Sequence, residues 1–231
     1  LVSIIKGQDT SLADPDKYFI KLSYNQLKAM FDKTWGGFST APKFPTPHNI
    51  MFLLKYYTEE NEEVAKEMAE TTLVNMARGG IFDHVGGGFS RYSTDDKWLV
   101  PHFEKMLYDN ALLAIAYLDA YCVTKNEFFA DVVRRTLDYI INELTDPQGG
   151  FYCGQDADSD GVEGKYYVFT PEEIIEVLGK EDGFEFCRIY NITKQGNFEG
   201  KSITNRIKQP QNPWDKDDQR LKMLYDYRAS R

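Results

Sequence analysis

The chain has 231 residues, 42% of them hydrophobic and 14% aromatic, enough length and apolar content for one ordered domain with a real core. Its formal net charge of -9 argues against a nucleic-acid partner, since such binding rests on lysine and arginine meeting phosphates, and no run approaches the ~20 apolar residues of a membrane span. Cys122, Cys153 and Cys187 are odd in number and form no C-x-x-C pair, which argues against a disulfide framework or zinc knuckle and points to a reducing cytoplasm.

Residues 1–21 read as an extended lead-in, and the whole of 1–231 as one domain. A start at Leu1 without methionine suggests a piece of a longer polypeptide. Ser23 is placed to cap a helix running to about Lys33, with Leu22, Leu27, Met30 and Phe31 at helical spacing. Pro47 suits a helix start before Ile50–Tyr57, and Asn61 a cap for a helix through Met76 that closes at Gly79-Gly80. Pro101 is read as opening a helix to about Val123. Within it, residues 111–118 are apolar on every side, which predicts burial all round. Asn126 caps the next helix, Phe128 to Leu144. Thr170-Pro171-Glu172-Glu173 is a capping box before a short helix, and further helices are expected over Phe184–Tyr190 and Trp214–Tyr227.

Trp35-Gly36-Gly37-Phe38, Gly87-Gly88-Phe89 and Gly149-Gly150-Phe151 recur at spacings of 51 and 62 residues. Each follows a helix, which favours helical-hairpin repeats over the alternative of three unrelated glycine turns. The acidic helix after Asn61, with Glu62, Glu63, Lys66, Glu67 and Glu70 on a solvated face, contrasts with the apolar 111–118 segment. Together they imply an outer and an inner layer of helices. The expected fold is mainly α: a partial α/α toroid of antiparallel hairpins, with Phe151–Cys153 and Lys165–Phe169 forming a small β-hairpin.

The run from Gly86 to Asn110 gathers a histidine, carboxylates, basic groups and aromatics at one corner. His84 is equally suited to act as a general base or to bond a backbone group. His102, read at a helix start, would have its imidazolium disfavoured by the helix dipole, and His102, Met106 and Asp109 would share one face. Asp109 on an apolar helix needs a partner, because a buried carboxylate is costly alone. Paired proton-transfer groups beside aromatic faces suit sugar chemistry. His84, His102, Asp109, Asp83, Asp156 and Asp158 are therefore the acid/base candidates. Arg91, Trp98, Lys43, Tyr92 and Glu104 are the ligand contacts, with Phe89 a further aromatic. Plain packing between helix ends explains the aromatics as well, and Glu104 and Lys105 also read as solvated pairs. Asp156, Asp158 and Asp160 match the first half of a calcium loop, but position 12 is Tyr167, so a self-bonded turn is the more economical reading, with bound calcium the alternative and no other cofactor expected.

Taken in order, several pieces resemble the YyaL-type proteins, which include the spermatogenesis-associated thioredoxin-like proteins. They are Gly36–Phe38 with Ala41–Pro45, Asp83–Ser93, Trp98–Asp109, Gly149–Tyr152, and Asp156–Ser159 with Glu163–Tyr167. The resemblance covers most of residues 30 to 180. It implies an α/α toroid similar to six-hairpin glycosidases and N-acylglucosamine 2-epimerases, and a thioredoxin-like domain as partner in the full-length protein. This chain carries neither that domain nor enough helices for six hairpins. A sugar isomerase, epimerase or glycosidase is the leading expectation, with a small-molecule ligand. A non-catalytic helical scaffold serving the thioredoxin-like domain is the alternative.

Overall fold

The structure, a computed structural model, describes residues 17–209 and 218–230. Eight helices are formed among them: α1 Lys17–Met30, α2 Pro47–Glu60, α3 Glu63–Arg78, α4 Leu107–Thr124, α5 Glu127–Glu143, α6 Pro171–Leu178, α7 Lys180–Ile189 and α8 Gln219–Arg228. Strands are two-residue pairs: β1 Tyr92–Ser93 with β2 Pro101–His102, β3 Lys105–Met106 with β4 Gly154–Gln155, β5 Asp158–Ser159 with β6 Val162–Glu163, and β7 Val168–Phe169 with β8 Ser202–Ile203, all antiparallel.

The hairpins α2/α3 and α4/α5 lie side by side through α2 and α4, while α6 packs on α7 and α8. Met68, Leu73 and Met76 of α3, Leu113 and Tyr117 of α4 and Phe129 and Val132 of α5 fill the main core. Full enclosure of side chains this large contributes about 2–3 kcal/mol each. A second cluster holds Phe169, Ile174, Phe186, Tyr190 and Leu224. The architecture is the mainly helical α/α array read from the sequence.

Several local expectations differ. Ser23 lies inside α1 and its hydroxyl donates back to the Phe19 carbonyl, so it caps nothing; Lys17–Lys21, read as lead-in, is already helical. Asn61 ends α2 rather than starting α3: it sits at φ 54° and its N–H bonds the Tyr57 carbonyl. The Asn126 cap and the Thr170–Glu173 capping box form as read. Pro101 and His102 are strand, and α4 starts only at Leu107, because the intervening backbone pairs with Tyr92–Ser93 and Gly154–Gln155. In α4, Leu112, Ile115 and Leu118 are exposed, so it is not buried all round; no described element covers that stripe. The expected β-hairpin forms one loop further in. Asp160 and Gly161, both at positive φ, make a two-residue turn between β5 and β6, leaving β4 and β7 free to pair elsewhere. The last predicted helix, Trp214–Tyr227, is α8 from Gln219; residues 214–217 and the lead-in over 1–16 lie outside the described residues.

The glycine repeat is a conformational repeat. Asp32, Asp83 and Asp146 each open a tight corner in which the Asp N–H donates to the carbonyl of the second glycine (Gly37, Gly88, Gly150). The first glycine's N–H (Gly36, Gly87, Gly149) donates back to the Asp carbonyl. All six glycines lie at φ between 72° and 94°, where a side chain is strained. At Gly88 a Cβ would also stand 2.4 Å from the Tyr139 ring.

Candidate functional site

The three corners use their aspartates structurally. Asp32 Oδ2 accepts from Lys43 Nζ at 2.5 Å, and the same ammonium donates to the Gly36 carbonyl at 2.8 Å. Asp83 repeats the arrangement with Lys105 Nζ at 2.8 Å, and Lys105 also donates to the Gly87 carbonyl at 2.8 Å. Arg228 then closes on Asp83 with both terminal nitrogens, at 3.0 and 2.7 Å. Asp83, Lys105 and Arg228 are all buried. The two cations hold the Asp83 carboxyl far below the usual carboxylate range, against the burial that would raise it. Burial pushes Lys105 down to about 8, opposed by Asp83. Lys105 is thus no half of a solvated pair with Glu104.

This removes several nominated residues from any ligand's reach. Lys43 is 1% exposed and Trp98 fully enclosed, its indole N–H donating to the Trp35 carbonyl at 2.8 Å. Trp98 holds φ 64° beside Gly79, where a Cβ would meet its carbonyl. Asp95 fixes that loop by accepting from the Lys97, Leu99 and Val100 N–H groups. Phe89 is equally enclosed, both its backbone polar groups bonded by the buried Asn110 amide. His84 has no exposure; its Nε2 lies 3.0 Å from the Gly79 carbonyl and its ring meets Phe82 and Tyr190 edge-on. Burial, with the Arg135 and Arg206 charges, pushes its pKa down to about 3, so the imidazole is neutral.

Another nominated set does come together, on the surface around the β1/β2 pair. Register places Tyr92 opposite His102, whose rings stack at 5.2 Å, and Phe44 stacks on the other side of Tyr92 at 4.8 Å. Arg91 bonds Glu104 at 2.8 Å, and His102 Nε2 lies 3.9 Å from the same Glu104 carboxylate. His102 Nδ1 meets Glu163 at 2.9 Å. His102 reaches these partners from a strand, so it feels no helix dipole and shares no helical face with Asp109. Asp109, in the first turn of α4, is half-buried and its Oδ2 has no hydrogen-bond partner among the described residues. Burial pushes its carboxyl up to about 6; Arg91 and the Tyr108 hydroxyl pull the other way and Glu104 adds to the rise. Beside Glu163 lies a cavity of 140 Å³, also lined by Lys165, Phe198 and Lys201. A larger one of 840 Å³ opens elsewhere, between Met30, Phe38, Thr40 and Asp96.

The acidic turn adjoins this set through β6, where Asp158 pairs in register with Glu163, the partner of His102. Asp156 accepts from the Asp158 N–H at 3.0 Å, Asp158 runs in β5, and Asp160 bonds Lys165 at 2.6 Å. No group of three His, Cys, Asp or Glu side chains among the described residues is arranged to hold a metal, and the calcium half-motif does not converge. Glu163 as the partner of His102, Asn110 and Arg228 were not read from the sequence. Asn110 lies in the Gly86–Asn110 run, but nothing local marks Arg228, 145 residues from Asp83.

No family model matches the chain. Spermatogenesis-associated protein 20 of Homo sapiens is 44% identical over 193 residues, covering 75% of this chain and 25% of that protein. The Mus musculus protein of the same name is 46% identical over 165 residues, 67% and 21% of the two chains. An uncharacterized protein of Caenorhabditis elegans is 40% identical over 172 residues. The chain thus spans about a quarter of the length of the curated relatives it matches. Among solved structures, cellobiose 2-epimerase from Spirochaeta thermophila superposes with TM-score 0.52 at 18% identity over 64% of this chain and 41% of that one. The enzyme of that name from Bacillus thermoamylovorans gives 0.51 at 15% identity, over 80% and 58%. Those superpositions establish the α/α-toroid fold, and the sequence identities place the chain in the spermatogenesis-associated protein 20 family.

Proposed function

We propose that this chain contributes a sugar-binding, acid/base site of the epimerase or isomerase kind, or a glycosidase-like one, centred on Asp109. The observation that carries the reading is the half-buried Asp109 carboxyl, raised to about 6 with one oxygen unpartnered, near Arg91 and Glu104, the latter in turn 3.9 Å from His102 Nε2. A carboxyl of that pKa both gives and takes a proton near neutrality. Phe44, exposed at the end of the stack, offers an apolar face of the kind pyranose rings lie against, and Arg91 with Glu104 offers donors and acceptors for hydroxyls. The fold shared with cellobiose 2-epimerases supports the substrate class. The free cysteines suit a cytoplasmic setting, and we retain a thioredoxin-like domain as the partner in the longer protein.

The test is a calorimetric screen of the protein against glucose, mannose, cellobiose and their phosphates. Saturable binding that His102→Ala and Asp109→Asn each weaken at least about tenfold supports the reading; no binding across the panel overturns it. A scaffold role is the second reading, favoured by the closure of Lys43, Asp83, His84 and Trp98 inside the packed corners. It expects the empty screen.

A further inference from the structure

In the first two Asp–Gly–Gly corners a lysine ammonium sits between the Asp carboxylate and the first glycine's carbonyl, beside an aromatic ring. Lys43 lies 5.6 Å from the Trp98 ring and Lys105 4.3 Å from the Tyr139 ring. The same two rings roof the second glycine, so that a Cβ on Gly37 or Gly88 would strike them. The third corner keeps the same pair of backbone hydrogen bonds, one residue tighter, but nothing lies within 4 Å of where a Cβ on Gly149 or Gly150 would stand. Phe151 is 59% exposed, whereas its counterparts Phe38 and Phe89 are 5% and 0%. Asp146 Oδ1 accepts from the Gln148 N–H as in the other corners, and Oδ2, the lysine's place, is met by the Tyr152 hydroxyl at 2.5 Å. The loop that follows does not fill it: Gly154–Gln155 pairs with β3 and Lys165 bonds Asp160.

We propose that the third corner is a docking site for a lysine side chain of a polypeptide partner, presented beside an aromatic ring. The ammonium takes Asp146 Oδ2 in place of the Tyr152 hydroxyl, and the ring covers Gly150. Two filled copies in the same molecule define what the open copy is shaped to hold. A salt bridge to a corner covered by a ring is better shielded from solvent than an open surface pair.

The probe is the peptide N-acetyl-Lys-Trp-Leu-amide, titrated into 15N-labelled protein. The expected result is saturable shifts of the Asp146, Gly149 and Gly150 amides. The dissociation constant should be at least about threefold larger for the norleucine analogue, which keeps the chain and loses the charge. Asp146→Asn should weaken binding by the same factor, and it retains the oxygen that caps the turn, so its spectrum elsewhere should superpose on the parent. Equal affinity for the two peptides, or shifts that leave those three amides unmoved, overturns the proposal.

Discussion

Asp109 and His84 titrate in opposite senses, and each leaves a distinct mark on stability. The folded pKa of Asp109, about 6, lies above the ordinary 3.8, so the fold prefers the protonated form. Its contribution is fully present below about pH 4 and is lost as pH rises through 6. Asp109→Asn, neutral at every pH, should therefore gain about 1–2 kcal/mol relative to the parent at pH 7.5 and nothing at pH 4, a two-unit shift being discounted for partial exposure. Urea unfolding at the two pH values checks it. His84 runs the other way. With its folded pKa depressed to about 3, its stabilising effect is present above pH 6.5 and lost as pH falls toward 3. His84→Gln should flatten the loss of stability over that window by up to about 1.4 kcal/mol per pH unit, read from the same unfolding series. At this scale the sequence was a partial guide. Asp109 stood out because a carboxylate on an apolar helix is rare. That His84 and Trp98 are core groups depends on what encloses them, and neighbouring residues in the chain do not carry that information.

At the scale of elements, the corner is the unit that repeats, and its glycines are not equivalent. Gly88 lies at φ 76° under the Tyr139 ring, whereas Gly149 lies at φ 94° in open space. Gly149→Ala should cost about 1–2 kcal/mol, the strain of a left-handed conformation alone. Gly88→Ala should cost at least about 2 kcal/mol more, because the ring must move. Denaturation midpoints of the two variants settle the order. The repeat was legible as glycine spacing. Its aspartates were not, although Asp32, Asp83 and Asp146 stand three or four residues ahead of each pair. The start of α4 was misjudged for a related reason: proline at a first turn is a good helix signal, but Pro101 and His102 are held in strand by pairing with Tyr92–Ser93, a contact no helical period reports.

At the scale of the molecule, Arg228 ties the last described helix to the second corner, across 145 residues, through a fully buried ion triad with Asp83 and Lys105. The triad carries one surplus positive charge, so removing Arg228 leaves a balanced Asp83–Lys105 pair but takes two charge-assisted hydrogen bonds from the carboxylate; Arg228→Met should destabilise by about 2–3 kcal/mol. A parent-like melting curve for that variant would mean the triad is dispensable. The α/α array was legible from helix periods and hairpin spacing, since packing of amphipathic helices is a local pattern repeated. The long-range clamp was not, because an arginine in a polar terminal helix looks like any solvated one.

Asp109 is the half-buried group on this frame whose ionisation the proposed chemistry depends on. The direct measurement is the 13C chemical shift of its side-chain carboxyl, followed from pH 3 to 8 with and without saturating sugar. The account predicts a midpoint near 6 that moves when sugar is bound. A midpoint below 4, unchanged by any sugar, would contradict it.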